Sequence, residues 1–386
     1  MKSRRAMITT REQLKTARRW VVKIGSALLT ADGRGLDTQR LENWAGQIAA
    51  LHAAGAQVVL VSSGAVAEGL VRLGWPGRPT ALNELQAAAS VGQAGLVEAY
   101  NRCFKTHGLQ TAQVLLTHDD VSNRGRYLNA RGTLLTLLEM DVIPIVNEND
   151  AVVTDEIRVG DNDTVAALAV NLLDADGLII LTDQAGVYDA DPRTHPDATL
   201  IDIREATDAA LLAAASERGG ALGRGGMRTK VIAARQAADS GATTVIADGL
   251  LPDVLARVVG GERVGTMLIP DRNARRAARK NWIAGQRRVR GRVHLDAGAV
   301  RVLRDAGRSL LPIGITAVEG DFRRGDLVAC LSDAGEEIAQ GLANYDARET
   351  RLLAGQPSER IAELIGYAGE PEFIHRNNLV VSRTLA

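Results

Sequence analysis

The sequence predicts an α/β protein, with a mainly parallel sheet covered by helices on both faces and a small β-rich domain at the C-terminal end. Three observations carry this. Strand-like apolar runs alternate with helix-like segments through the first 270 residues. Several runs, such as IPIV and GLIIL, are continuous rather than alternating in polarity, as strands buried on both faces are. Near residue 271 a basic stretch gives way to short runs broken by glycine.

Taken in order, WVVKIGSALL (20–29) reads as a buried strand entering a glycine turn. Residues 38–54 have helical spacing through Leu41, Trp44, Ile48 and Leu51 and stop at Gly55. QVVLVSSGAVAEG (57–69) repeats the strand and glycine turn. Then come a helix at 84–103, a strand at 110–116, a helix at 124–139 and a strand at 142–147. Beyond an acidic loop, 162–173 reads as helix, 177–182 as strand, 228–240 as helix, 243–247 as strand and 250–259 as helix. This places one α/β domain over 15–270, a basic linker over 271–289 and a β-rich domain over 290–370. In the last, GRVHLD, AVRVL, ITAVEG, GDLVACL and EEIAQGLAN read as short strands.

Composition narrows the function. The 386 residues suit two or three domains, and 46% hydrophobic content supplies a sizeable core. Lys+Arg and Asp+Glu are equal at 46 each, so any nucleic-acid or anionic partner must use a local patch. Cys103 and Cys330 form no framework and no metal spacing, which fits a reducing compartment. The basic N-terminal stretch lacks an apolar core segment, and no run approaches a membrane span. The expectation is a cytoplasmic protein.

Residues 143–163, IPIVNENDAVVTDEIRVGDND, start as a buried strand and end at the mouth of a helix. Between them stand Glu148, Asp150, Asp155, Glu156, Asp161 and Asp163, with Asn147, Asn149 and Asn162, against Arg158 alone. A solvated acidic loop is the plain alternative. Acids directly after a strand, where open α/β sheets place their ligands, suggest a pocket for an amine-bearing substrate. Lys23, followed by Gly25, closes the first strand and can aim its ammonium at a phosphate. Ser62-Ser63-Gly64-Ala65 opens a helix, and the N–H groups there suit an anion. GRGGMRTK (223–230) brings Arg224, Gly225, Gly226, Met227, Arg228, Thr229 and Lys230 to a helix start without matching GxxxxGK[ST] or GxGxxG. Thr182 and Asp183 follow the strand GLIILT, and the loop to Arg193 can cover a nucleotide.

GxSxG, HExxH and the HRD/DFG pair are absent. Two lysines, glycine-rich anion turns and an acidic loop instead point to phosphoryl transfer, which is mostly positioning and charge neutralisation. A carboxylate acceptor, with a reference pKa of about 4.3, is already ionised and needs no general base. It needs cations to offset repulsion from the triphosphate.

Read together, VVKIGSALL, VLVSSGAVAEG, PIVNENDAV, VGDND, IILTDQAGVYDADPR and GRGGMRTK resemble the glutamate 5-kinases of the amino acid kinase family. The segment after 290 resembles the PUA domain at the end of many bacterial members. The resemblance implies a kinase fold and an ATP-dependent transferase that phosphorylates the side-chain carboxylate of L-glutamate, opening proline biosynthesis. It implies Mg²⁺, proline as feedback inhibitor, and a homodimer or homotetramer. Carried over by motif, Lys23, Lys230 and Asp163 would be catalytic, with Asp163 orienting the two lysines. Ser63, Asn147, Asp150, Asp161 and Asn162 would hold glutamate. Lys23, Thr182, Asp183 and 224–230 would hold ATP, and no residue is assigned to a metal. Arg224 stands where threonine is usual, and Arg228 where a small residue is common, which leaves their nucleotide contacts open. The alternatives are kinases of acetylglutamate, aspartate or uridylate within the same fold, and RNA binding through the PUA-like tail. Little supports the latter, since Trp282 is the one stacking residue near the basic linker.

Overall fold

The computed structural model describes residues 7–30, 35–117, 120, 124–152, 162–215, 226–271, 289–306, 308–367 and 369–381. The chain forms two compact units, Met1–Val121 with Ala130–Arg275, and Ser122–Asn129 with Arg276–Ala386. Of the stretch 271–289, residues 272–288 lie outside the described set.

The first unit is built on eight strands: β1 (Arg19–Ile24), β2 (Gln57–Val61), β3 (Thr111–Leu116), β4 (Ile143–Glu148), β5 (Gly177–Thr182), β6 (Ile203–Glu205), β7 (Thr243–Asp248) and β8 (Thr266–Ile269). Their order in the sheet is β3-β4-β2-β1-β5-β7-β8-β6. Six of them run parallel, while β8 pairs antiparallel with β7 and parallel with β6. The mainly parallel sheet expected from the apolar runs is thus present, and every residue of β4 and β5 is buried.

The helices are α1 (Ser26–Leu29), α2 (Thr38–Ala53), α3 (Ala65–Arg72), α4 (Leu82–Lys105), α5 (Arg124–Glu139), α6 (Asn162–Leu173), α7 (Ala209–Ala214), α8 (Met227–Asp239) and α9 (Val254–Val259). Asp37 caps α2 by accepting from the Arg40 amide at 3.1 Å. The last helix of the unit starts at Val254 and not at 250, because Leu250 to Asp253 form a turn in which Asp253 is left-handed, with φ 52°.

Strand alternation divides the core. Trp20, Val22 and Ile24 of β1 share one apolar cluster with Leu41, Trp44 and Ile48 of α2 and Leu96 and Tyr100 of α4. Val21 and Lys23 face the other way, where α6 lies against β1 and α8 against α6. Helices α3 and α4 approach until their backbones touch. A Cβ on Gly69 would stand 1.7 Å from the Ala88 carbonyl oxygen, and one on Gly92 1.8 Å from that of Ala65.

The second unit holds a five-stranded sheet of order β10-β9-β11-β12-β13, from β9 (Gly291–Leu295), β10 (Ile315–Gly320), β11 (Leu327–Ser332), β12 (Glu337–Leu342) and β13 (Leu379–Val381). Its own core includes Val293, Leu303, Phe322, Val328, Tyr345 and Phe373. Among the described residues three helices join it, α10 (Ala297–Ala306), α11 (Ala347–Leu353) and α12 (Ile361–Ile365). One expectation fails here. AVRVL (299–303) alternates like a strand but lies inside α10. Asp296 accepts from the Ala299 amide at 2.7 Å and starts the helix. Val300 and Leu303, three apart, then meet the core while Val302 stays exposed.

Candidate active site

The face of β1 that carries Lys23 meets the N-termini of α6 and α8. Asp163 is the second residue of α6, and Thr229 and Lys230 lie in the first turn of α8. The Lys23 Nζ stands 2.7 Å from Asp163 Oδ1, and the Lys230 Nζ 3.2 Å from Oδ2. Thr229 Oγ1 donates to Oδ2 at 2.7 Å. All three charged groups are buried, with Lys23 5%, Lys230 6% and Asp163 2% exposed. Burial raises the Asp163 pKa, but the two ammonium charges, with hydrogen bonds from Lys23 and Thr229, overcome this and hold it well below the usual carboxylate range. A helix N-terminus favours the anion as well. The cluster keeps a net positive charge in a buried place. Gly25, whose amide donates to the Leu181 carbonyl at 3.2 Å, leaves open the space beside Lys23. A Cβ there would stand 3.9 Å from Nζ.

A second group lies towards β2 and β4. The Ser62 amide donates to the Val146 carbonyl at 3.0 Å, so β2 still follows β4 where its turn begins. Gly64 takes φ +95° to enter α3, a conformation that strains residues with a Cβ. Asn162 Nδ2 donates to Ser63 Oγ at 3.2 Å, joining the α6 mouth to the β2 turn. Asn147 Nδ2 donates to Gln93 Oε1 at 2.6 Å, and its Oδ1 accepts from the Glu148 amide at 2.9 Å. Asp150 follows, its pKa pushed up to about 7 by burial first and the Glu148 charge second, with Arg78 pulling the other way. The free protein therefore holds an acid at this end that is ready to ionise beside a cation.

At the end of β5, buried Thr182 donates to exposed Asp183 Oδ1 at 3.1 Å, and the Gly249 amide donates to the Thr182 carbonyl at 2.8 Å. On the α8 turn Gly226 is buried, Met227 half-buried and Arg228 exposed. Asp161, Arg224 and Gly225 lie outside the described residues, as do Asp155 and Glu156.

The structure thus joins Lys23, Asp163, Thr229 and Lys230 in one cluster and Ser63 with Asn162 in another, while Thr182 and Asp183 pair separately. Glu148, one of the acids of the 143–163 stretch, is buried here, and so is Gln93, which belongs to the neighbourhood although the motifs do not single it out. The available signal for Gln93 was a polar residue between Gly92 and Gly95 on a helix rich in small residues. Among the described residues no group of three or more His, Cys, Asp or Glu side chains is arranged to hold a metal.

The Amino acid kinase family matches residues 18–248, and the PUA domain matches residues 291–365. Glutamate 5-kinase of Chromohalobacter salexigens is 61% identical over 372 residues, covering 96% of this chain and 98% of that protein. Glutamate 5-kinase of Pseudomonas paraeruginosa is 59% identical over 371 residues, covering 96% and 100%. That of Thioalkalivibrio sulfidiphilus is 60% identical over 375 residues, covering 97% and 100%. A parallel sheet with two buried lysines on one carboxylate, and identity at this level over nearly the whole chain, lead to one assignment: the chain belongs to the amino acid kinase family, among its glutamate 5-kinases, and ends in a PUA domain.

Proposed function

We propose that this chain transfers the γ-phosphoryl group of ATP to the side-chain carboxylate of L-glutamate, the first step towards proline, with Lys23, Asp163 and Lys230 as its catalytic centre. The observation that carries the reading is the buried pair of ammonium groups held on one carboxylate at 2.7 and 3.2 Å. Two like charges aimed at one anion repel each other, and a carboxylate between them fixes both.

In the reaction a γ-carboxylate oxygen of glutamate forms a bond to the γ-phosphorus, and the bond from that phosphorus to the β,γ-bridging oxygen breaks. ADP leaves with the electron pair. No proton has to move. The obstacle is charge, since a carboxylate approaches a triphosphate. Lys23 and Lys230 offset the charge on the transferring group and the bridging oxygen. Thr229 keeps Asp163 in register by its hydrogen bond.

Ser63 and Asn162, linked at 3.2 Å, border this centre and hold glutamate. Asp150, with Asn147 beside it, takes the α-ammonium. A carboxyl group that ionises near neutrality favours a free ammonium over an acetylated amine, which separates glutamate from acetylglutamate. Thr182, Asp183 and the start of α8 hold the nucleotide. Mg²⁺ is expected as the complex with ATP, which suits a metal that keeps most of its ligands as phosphate and water.

The test is to mix protein, ATP, Mg²⁺ and hydroxylamine with glutamate, aspartate or acetylglutamate in turn. Hydroxamate that depends on glutamate, at least tenfold above the other two acceptors, is the expected result. Folded protein giving none overturns the reading, and preference for another acceptor reassigns the substrate.

A further inference from the structure

Gln93 is one feature that the motifs and the catalytic centre leave unused. It lies on α4 and is 8% exposed. Its Oε1 accepts from Asn147 Nδ2 at 2.6 Å, while its Nε2 is buried without a hydrogen-bond partner. A buried donor left unmade is costly, and native proteins keep such groups where something else completes them. The backbone is arranged to bring Gln93 there. Gly92, the preceding residue, has no Cβ, and one would collide with the Ala65 carbonyl oxygen at 1.8 Å and the Gly69 amide nitrogen at 2.3 Å. Close approach of α4 to the β2–α3 turn therefore depends on glycine next to Gln93.

The position suggests the ligand. Lys23 on β1, Val61 on β2 and Val146 on β4 stand in one row, and Asn147 is the next residue along. Adjacent strands lie about 4.8 Å apart, so the backbones of Lys23 and Asn147 are about 10 Å apart at this edge of the sheet, with the Asn147 side chain turned to the α4 face, opposite to that of Lys23. The carboxyl carbons of extended glutamate are about 5 Å apart, from four C–C bonds of about 1.5 Å. With the γ-carboxylate directed to Lys23 and Lys230, an extended glutamate lying over the strand ends directs its amino-acid end towards Asn147, the residue that follows this row on β4. Asp150 and Glu148 there suit the ammonium but repel the α-carboxylate, which needs a donor.

We propose that Gln93 Nε2 is a substrate-binding donor to the α-carboxylate of glutamate, while its Oε1 keeps Asn147 oriented. This rests on the glutamate-kinase reading above. It makes α4 part of the selection for an α-amino acid over a plain carboxylic acid.

The test measures glutamate and ATP KM by hydroxamate formation for Gln93→Met, Asn147→Ala and the double variant, with melting curves to show folding. Gln93→Met is expected to raise the glutamate KM about tenfold or more, the scale for one hydrogen bond to a charged group. The ATP KM should stay within twofold. In the Asn147→Ala background the effect should be smaller, because the two side chains are bonded, but should stay above twofold, because contact with substrate does not pass through Asn147. A role only as support for Asn147 would vanish there, and an effect below twofold in either background overturns the proposal. If Gln93→Met fails to fold, Gln93→Asn, which keeps the amide one methylene short, is read by the same criteria. Wild-type protein without glutamate-dependent hydroxamate would sink the kinase reading instead, so the two failures are distinct.

Discussion

At the scale of residues, the site works by setting charge against burial. Two ammonium groups share the Asp163 carboxylate, and each is aimed by it. Lys23→Ala or Lys230→Ala is expected to lower kcat by about 10²–10³, the usual loss for one transition-state donor. Steady-state turnover at saturating substrates measures it, and unchanged kcat in both would remove the centre from its place. Asp150 gives a pH signature. Its pKa is raised from 3.8 to about 7, so the folded chain holds a proton that the unfolded chain has released across that window. Stability therefore falls as pH rises from about 4 to about 7, and Asp150→Asn should flatten that slope in urea titrations. In the proposed binding mode the need is the opposite, since an ionised Asp150 would hold the ammonium. The glutamate KM should rise as pH is lowered through about 7, and Asp150→Asn should give a high KM with little pH dependence.

At the scale of elements, the site depends on contacts that local sequence signals do not announce. Arg11 sits in a stretch that reads as a plain basic N-terminal segment. It is instead 6% exposed, and its guanidinium donates to Asp202 Oδ1 at 2.8 Å and to the carbonyls of Val264 at 2.9 Å and Gly265 at 2.7 Å. It ties the N-terminal segment to the start of β8. Arg11→Ala leaves these carbonyls without their partner, while Asp202, about a third exposed, keeps Arg263 at 2.9 Å; the change should cost about 1–3 kcal/mol, measured by urea unfolding. Gly92 and Gly69 set the spacing of α3 and α4. Gly92→Ala puts a methyl 1.8 Å from a carbonyl oxygen and should destabilise by at least about 1–3 kcal/mol through overpacking. Because the same contact brings Gln93 beside Asn147, its glutamate KM should rise as well, and a variant with native melting and native KM would contradict this account of the helix pair.

At the scale of the whole molecule, each unit has its own apolar core. Every described residue assigned here to catalysis or binding lies in the first. A chain ending at residue 271 should therefore retain glutamate-dependent hydroxamate formation with kcat within about threefold. Loss of activity from a folded truncated protein would give the C-terminal unit a part in the reaction. The sequence was enough for the strands that lie on both-sided apolar runs and for helices such as Thr38–Ala53 and Asn162–Leu173. Those signals are local: periodicity, caps and glycine turns act over a few residues. AVRVL misled because five residues satisfy either period, and the Asp296 cap decided for helix. The resemblance already implied that Asp163 orients the two lysines, and the tertiary structure supplied the contacts at 2.7 and 3.2 Å; it alone decided that β8 reverses direction beside β7 and that Gln93 reaches Asn147. These partners lie far apart in the chain, and their meeting depends on how strands order and helices pack, which no short window of sequence contains.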